Sequence, residues 1–346
     1  MKRVIFVILG LLVAVSAFSQ AGLQTAAIVN LIRSEPITVG QFRTEVERME
    51  KSAGRPLAQN ERLQVLDVMI NERLVLQAAE RDRIIVTDNE INQHFQELRN
   101  MLAQNIGRQP NEAEFAQAVR NEFGMEVQAY RDQARKQMIA QKYLMAKKGS
   151  LIESVKQPTE AEIVAEYNLL RRELVRPETV RFSMIQVPYG SDAASRTKAR
   201  ELADRLIREI GSNPSKFDEV AARHVAPNSG YLAGDAGFLP RNQEARALVG
   251  QNLMNAAFSM RQGQVSSLIE GVQGFHIIKV TENYEQKNLE LDDILQLGSN
   301  LTVRNYIGQV MFNQRQQEII NRATEEIISE LRTSRTFQVI ESNLRW

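Results

Sequence analysis

The sequence has 346 residues, no cysteine, three histidines, and 43 basic against 42 acidic side chains, for a formal net charge of +1. Disulfide, thiolate and cysteine-linked lipid chemistry are thereby excluded, and the evenly mixed charge offers no footprint for nucleic acid or an anionic membrane surface. His94, His224 and His276 are too far apart for metal-ligand spacing, so neither a metal nor another cofactor is expected.

Lys2 and Arg3 precede an apolar run from Val4 to Ala17, with small residues at Ala17 and Ser19. That order of charge, apolar core and small residues is the pattern of a secretory signal peptide. The run is shorter than the roughly 20 apolar residues of a membrane-spanning helix. Residues 1–19 are therefore expected to be cleaved, with the exported mature chain beginning between Gln20 and Gly22 and not inserted in the membrane. An uncleaved signal anchor is the alternative.

From Asn30 to Lys148 the spacing predicts helices. The clearest runs from about Asn60 to Arg81, with Leu63, Leu66, Ile70, Leu74 and Ala78 on one face. Thr87 and Glu90 have capping-box spacing ahead of a helix carrying Ile91, Phe95, Leu98 and Leu102, and Thr159 with Glu162 opens another bearing Ile163, Tyr167 and Leu170. Arg176-Pro177 ends that segment, because the residue before a proline is driven out of helical conformation.

At Val180 the period changes. Val180, Phe182 and Met184 alternate with Arg181, Ser183 and Ile185, the repeat of a strand. A helix with Ala199, Leu202, Leu206 and Ile210 follows, then a short helix near Phe217, a glycine-punctuated loop, helices around Leu248 and Leu253, and an apolar strand from Phe275 to Val280. Val303, Ile307, Val310, Ile320, Ala323, Ile327 and Leu331 then predict one long amphipathic helix, and Phe337 to Ile340 a last short strand.

The central blocks resemble the parvulin-type prolyl isomerases. They are Phe217 to Ala222, Gly234-Asp235-Ala236-Gly237-Phe238, Ala257 to Ser266 with Gly263, and Gly274-Phe275-His276 through Val280. The flanking stretches Ile84 to Glu90 and Tyr130 to Leu144 resemble the helical module of SurA-like and PrsA-like foldases. The resemblance implies an α+β fold of four parts: the signal peptide (1–19); a helical chaperone region (20–176); a parvulin-like α/β domain with a small antiparallel sheet (177–283); and a C-terminal segment (284–346) packing on the N-terminal region. The two helical parts together form an all-helical module.

The resemblance also supplies site residues. Parvulins surround the prolyl amide with an apolar pocket and a polar network of two histidines, an acid or thiol, and a hydroxyl. Only His276 stands at a matching polar position. The other three fall on Met184, Pro227 and Gly271. Val249, Leu253 and Phe258 occupy the positions that cradle the proline ring, and with Met184 they form the expected peptide-binding set. Their plainer role is as core residues.

The function so implied is a periplasmic chaperone holding unfolded secreted or outer-membrane proteins, with a parvulin domain lacking isomerase activity. Two alternatives remain open. One is an active isomerase with a network rebuilt from groups such as Ser183, His224 and Asn228; the other is a binding module with one dedicated partner.

Overall fold

The computed structural model describes residues 23–226 and 229–344. The expected signal segment, the cleavage positions up to Gly22, and both Pro227 and Asn228 lie outside the described residues. The chain divides into two units, one of residues 1–155 with 315–346 and the other of residues 156–314.

The first unit is mainly helical but not wholly so. Strands β1 (Thr25–Asn30) and β2 (Ser34–Thr38) form an antiparallel pair, and β9 (Phe337–Val339) pairs antiparallel with the other side of β1, in the order β2-β1-β9. This corrects the all-helical expectation for the module. Ala26, Ala27 and Val29 are fully buried, so β1 shows too little alternation to be read as a strand. Pro36 in β2 is tolerated because β2 is an edge strand, where a missing N–H breaks no ladder.

Five helices follow in this unit: α1 (Val39–Ala53), α2 (Gln59–Arg81), α3 (Asp88–Ile106), α4 (Glu112–Phe123) and α5 (Val127–Glu153). The capping box at Thr87 and Glu90 forms as its spacing predicts, and two further boxes form at Thr38 with Gln41 and Asn111 with Glu114. Phe42 of α1 and Ile70 and Leu74 of α2 pack with the small sheet and with Tyr143 of α5. Gln77 is fully buried in that core. Its Oε1 accepts from the backbone N–H groups of Leu31 (3.1 Å) and Ile32 (3.0 Å), and its Nε2 donates to Glu35 (3.0 Å), so the β1–β2 turn is held by a satisfied buried amide. A second cluster joins Ile91 and Phe95 of α3 to Phe115 and Val119 of α4.

The second unit begins with α6 (Glu160–Leu170), opened by the capping box of Thr159 and Glu162, and the short β3 (Val175–Arg176). Its centre is a four-stranded antiparallel sheet of β4 (Thr179–Pro188), β5 (Leu232–Pro240), β6 (Ile269–Glu270) and β7 (Gly274–Tyr284), in the order β5-β4-β7-β6. Helices α7 (Ala193–Ile210) and α8 (Pro214–Ala222) cover one face, through Ala203, Leu206 and Phe217 against Ile185, Val187, Phe275 and Ile277. Helices α9 (Gln243–Val249) and α10 (Gln251–Ser259) cover the other, through Ala245, Leu253 and Ala257 against Val180, Phe182 and Ile278. β8 (Lys287–Asn288) pairs with β3.

The long helix α11 (Val303–Leu331) has two kinds of surroundings. Ala323, Ile327 and Leu331 are buried in the first unit, where Ile327 and Leu331 join the core of α2 and α5. Lys148 of α5 meets Glu326 and Glu330 at 2.8 and 3.1 Å. Val303 and Ile307, by contrast, pack with Ile163, Tyr167 and Leu289 in the second unit. Residues 156–176 and 284–314, expected with the helical module, thus belong with the α/β domain, because the leucines after β8 give α6 and the start of α11 an apolar surface to share.

Candidate functional site

The alternation of β4 decides which side chains can act together. Phe182, Met184 and Gln186 face α9 and α10, while Ile185 and Val187 face α7 and α8. On the α9/α10 side packing is incomplete, and a cavity of about 470 Å³ remains. That volume lies in the range of small-ligand and peptide pockets. Met184 and Gln186 form part of its floor, with His276 of β7, which pairs directly with Gln186. Phe238, Val249 and Leu253 supply apolar wall. Leu248 and Val272 stand on it while 77% and 62% exposed, so solvent-facing apolar surface adjoins the cavity.

Of the expected site residues, the structure brings Met184, Val249, Leu253 and His276 to this one cavity. Phe258 does not line it. It packs half-buried in the adjoining cluster, with the Arg241 guanidinium 5.1 Å from its ring centroid. The reason is helical phase: five residues after Leu253 on α10, Phe258 is turned by about 140° around the axis.

His276 is only 6% exposed, and its Nδ1 is buried with no hydrogen-bond partner. Burial pushes the imidazole below its ordinary pKa, so it is neutral at pH 7. Its other edge lies against Gly271, where an added Cβ would sit 2.5 Å from both Cδ2 and Nε2 of the ring. Any side chain at 271, a hydroxyl-bearing one included, would therefore displace the imidazole from its present position. The backbone around it is well tied: the Gly271 N–H donates to the Gly274 carbonyl (2.9 Å), the Tyr189 hydroxyl donates to the Gly271 carbonyl (3.0 Å), and Asn252 Nδ2 donates to the Glu270 carbonyl (3.0 Å).

The rebuilt network is not assembled at the cavity by the described residues. Ser183 alternates to the α7/α8 side of β4, and His224 Nδ1 lies 2.8 Å from the Ala221 carbonyl, away from the cavity. Sequence reasoning missed Gln186, Leu248 and Val272. Gln186 was available from alternation, two residues beyond Met184. Val272 depended on the fold-back of residues 271–274, which no local pattern announces. Among the described residues no three histidine, cysteine, aspartate or glutamate side chains converge as metal ligands, and no helix is long and apolar enough to cross a membrane.

Comparison with known proteins finds two matching families. Residues 183–282 match the PPIC-type PPIase domain, a rotamase family, and residues 1–144 match the SurA-like N-terminal domain. The chain is similar to the foldase protein PrsA of Clostridium botulinum, at 22% identity over 83% of this chain and 76% of PrsA. It is also similar to the chaperone SurA of Pseudoalteromonas translucida, at 22% identity over 77% of this chain and 59% of that protein, and of Alcanivorax borkumensis, at 30% identity over 64% and 47%. The chain thus spans about half of those SurA proteins' length. Among solved structures, a SurA-like chaperone of Campylobacter jejuni is matched over 91% of this chain and 98% of its own, at 14% identity and a TM-score of 0.39. PrsA of Bacillus subtilis is matched over 86% and 88%, at 20% identity and a TM-score of 0.24.

Proposed function

We propose that this chain, which carries a SurA-like N-terminal domain and a PPIC-type parvulin domain, is a periplasmic chaperone that holds unfolded secreted or outer-membrane proteins in extended form. In this reading the parvulin domain binds apolar peptide, through Met184, Val249 and Leu253, and turns over prolyl bonds at a negligible rate. Residues 1–19 act as the cleaved export signal.

The observation that carries the reading is the mismatch inside the cavity between shape and chemistry. An apolar pocket of peptide size persists, yet its imidazole is buried, neutral and without a partner at Nδ1. Rotation about a prolyl amide faces a barrier of roughly 20 kcal/mol. Met184 and Gly271 offer no hydrogen-bonding side chain where parvulins carry polar groups, and each missing preorganised donor lowers a rate by orders of magnitude. Apolar burial needs no such donors.

The test measures aggregation suppression and prolyl isomerisation on one sample of the full chain, wild type beside His276→Ala. Protection of several unrelated unfolded clients, with isomerisation at background in both proteins, is the expected result. Acceleration by wild type that His276→Ala abolishes would establish an active isomerase instead. Protection of one partner alone would make the chain a dedicated binding module. N-terminal sequencing of the native protein, expected to begin between Gln20 and Gly22, checks export; a start at Met1 refutes it.

A further inference from the structure

The α/β unit holds a second cavity, of about 360 Å³, at the end of the sheet where β4 begins. It shares Phe238, Pro240 and Asn242 with the first cavity, so the two meet along the end of β5 and the start of α9. Its remaining walls come from outside the segment that matches the isomerase family: Leu174 and Arg176 on one side, and Leu289, Leu295 and Leu297 on the other. The leucine wall is a shaped loop. Its Gly298 backbone lies so close to Phe238 that an added Cβ would come within 2.9 Å of the ring, and the Leu295 N–H donates to the Leu301 carbonyl (2.8 Å).

Arg176 gives this apolar cavity its character. Its Nε is buried with no hydrogen-bond partner. The nearby Asp293 is already engaged, accepting from Lys287 Nζ (2.6 Å) and from the Glu290 N–H (2.8 Å). Glu173 also borders the cavity, but no ion pair joins it to Arg176. The Tyr284 ring lies 5.9 Å from the guanidinium, and the Asp293 charge acts on it through space without a hydrogen bond to Nε. A buried guanidinium donor without an acceptor is costly, and a carboxylate is the partner whose geometry suits it best.

We propose that this second cavity extends the peptide site and accepts an acidic residue beside a large apolar one, the carboxylate meeting Arg176 and the apolar side chain lying among the leucines. The proposal rests on the reading of the first cavity as a peptide site. Thr179, in the second cavity, and Met184, in the first, are five residues apart on β4, about 16 Å along a strand. An extended peptide therefore reaches both cavities when its acidic residue lies about five positions from the residue seated over Met184.

Fluorescence anisotropy on the full chain tests this with labelled peptides. The short probe is Ala-Ala-Leu-Pro-Ala-Ala. Two longer probes carry Leu-Glu about five positions before or after the proline, and their counterparts carry Leu-Gln. One of the Leu-Glu peptides is expected to bind about tenfold tighter than the short probe and measurably tighter than its Leu-Gln counterpart. Arg176→Gln should erase the preference for Glu over Gln and leave the short probe's affinity unchanged. Leu297→Glu, which brings a carboxylate of the chain itself to the cavity wall, should do the same and serves if the arginine variant fails to fold.

Equal affinity of long and short probes, with the short probe binding, overturns the second subsite and leaves the first intact. Failure of every probe to bind overturns both. A Glu preference that survives both substitutions also overturns the proposal. Binding of a long probe alone, lost in Arg176→Gln, supports it.

Discussion

The two faces of the β5-β4-β7-β6 sheet are made by alternate residues of the same strands, yet they are packed to different degrees. On the α7/α8 face, Ile185, Phe275 and Ile277 are 0 to 3% exposed and meet Phe217 and Leu206 in one cluster. On the α9/α10 face, Met184, Gln186 and His276 border a cavity of about 470 Å³. A single step along β7, from His276 to Ile277, crosses from one regime to the other. Stability is concentrated where side chains interdigitate, and binding capacity where they do not. Both are fixed by one register, since a slip of one residue would exchange the faces.

The contrast breaks most sharply at Ile277, which is 1% exposed on the closed face. Ile277→Ala should cost about 3 kcal/mol, read as a lower urea midpoint with an unchanged slope; a cost below about 1 kcal/mol would mean that face is not the better packed. Next is Gly271→Ala, whose Cβ would contact the His276 ring at 2.5 Å. A loss of about 2 kcal/mol is expected, together with a changed chemical shift of the His276 imidazole, and an unmoved resonance would refute the contact.

The pH dependence of stability sharpens the open face further. The folded imidazole of His276 is held below its ordinary pKa by burial, so the unfolded chain binds the proton more readily. The stability tied to the neutral ring is complete above about pH 6.5. It declines as pH falls through that unfolded value, by at most about 1.4 kcal/mol per pH unit, until the folded pKa is reached. His276→Gln should remove this component, and identical pH profiles for variant and wild type would exclude His276 as its source. The smallest effect on stability is expected at the cavity edge. Leu248→Ser, at a residue 77% exposed, should change stability by no more than about 0.5 kcal/mol while weakening apolar peptide binding. Unchanged peptide affinity would show that the cavity is not the binding surface.

Half of this sheet is locally encoded: the alternation at 180–185 and the apolar run of β7 declare themselves within a few residues, whereas β5 stands where the glycines suggest a loop and β6 is too short to show a period. The capping boxes at Thr87 and Thr159 were equally local. What escaped were features made by distant partners. β1 is recognisable as a strand chiefly because β2 and β9 pair with it, and the split surroundings of α11 depend on leucines that follow β8. Of the residues that the family resemblance singles out, Met184, Val249, Leu253 and His276 line one cavity, while helical phase turns Phe258 aside into the adjoining cluster. The fit of His276 against Gly271 was hidden, since it requires the hairpin-like return of residues 271–274.

The pairing of Val29 with Phe337 has a consequence for the order in which the chain matures. β1 emerges long before β9, so the helices that follow β1 must wait for β9 before their sheet can be completed. The segment 156–314, by contrast, is continuous and can close its own core without waiting for β9, with smaller loops to bring together. Until β9 arrives, one edge of β1 keeps unpaired N–H and C=O groups, the kind of edge that other nascent strands can join. A truncated translation product ending before residue 337 would leave that edge permanently open, and such fragments should be the aggregation-prone forms of this protein.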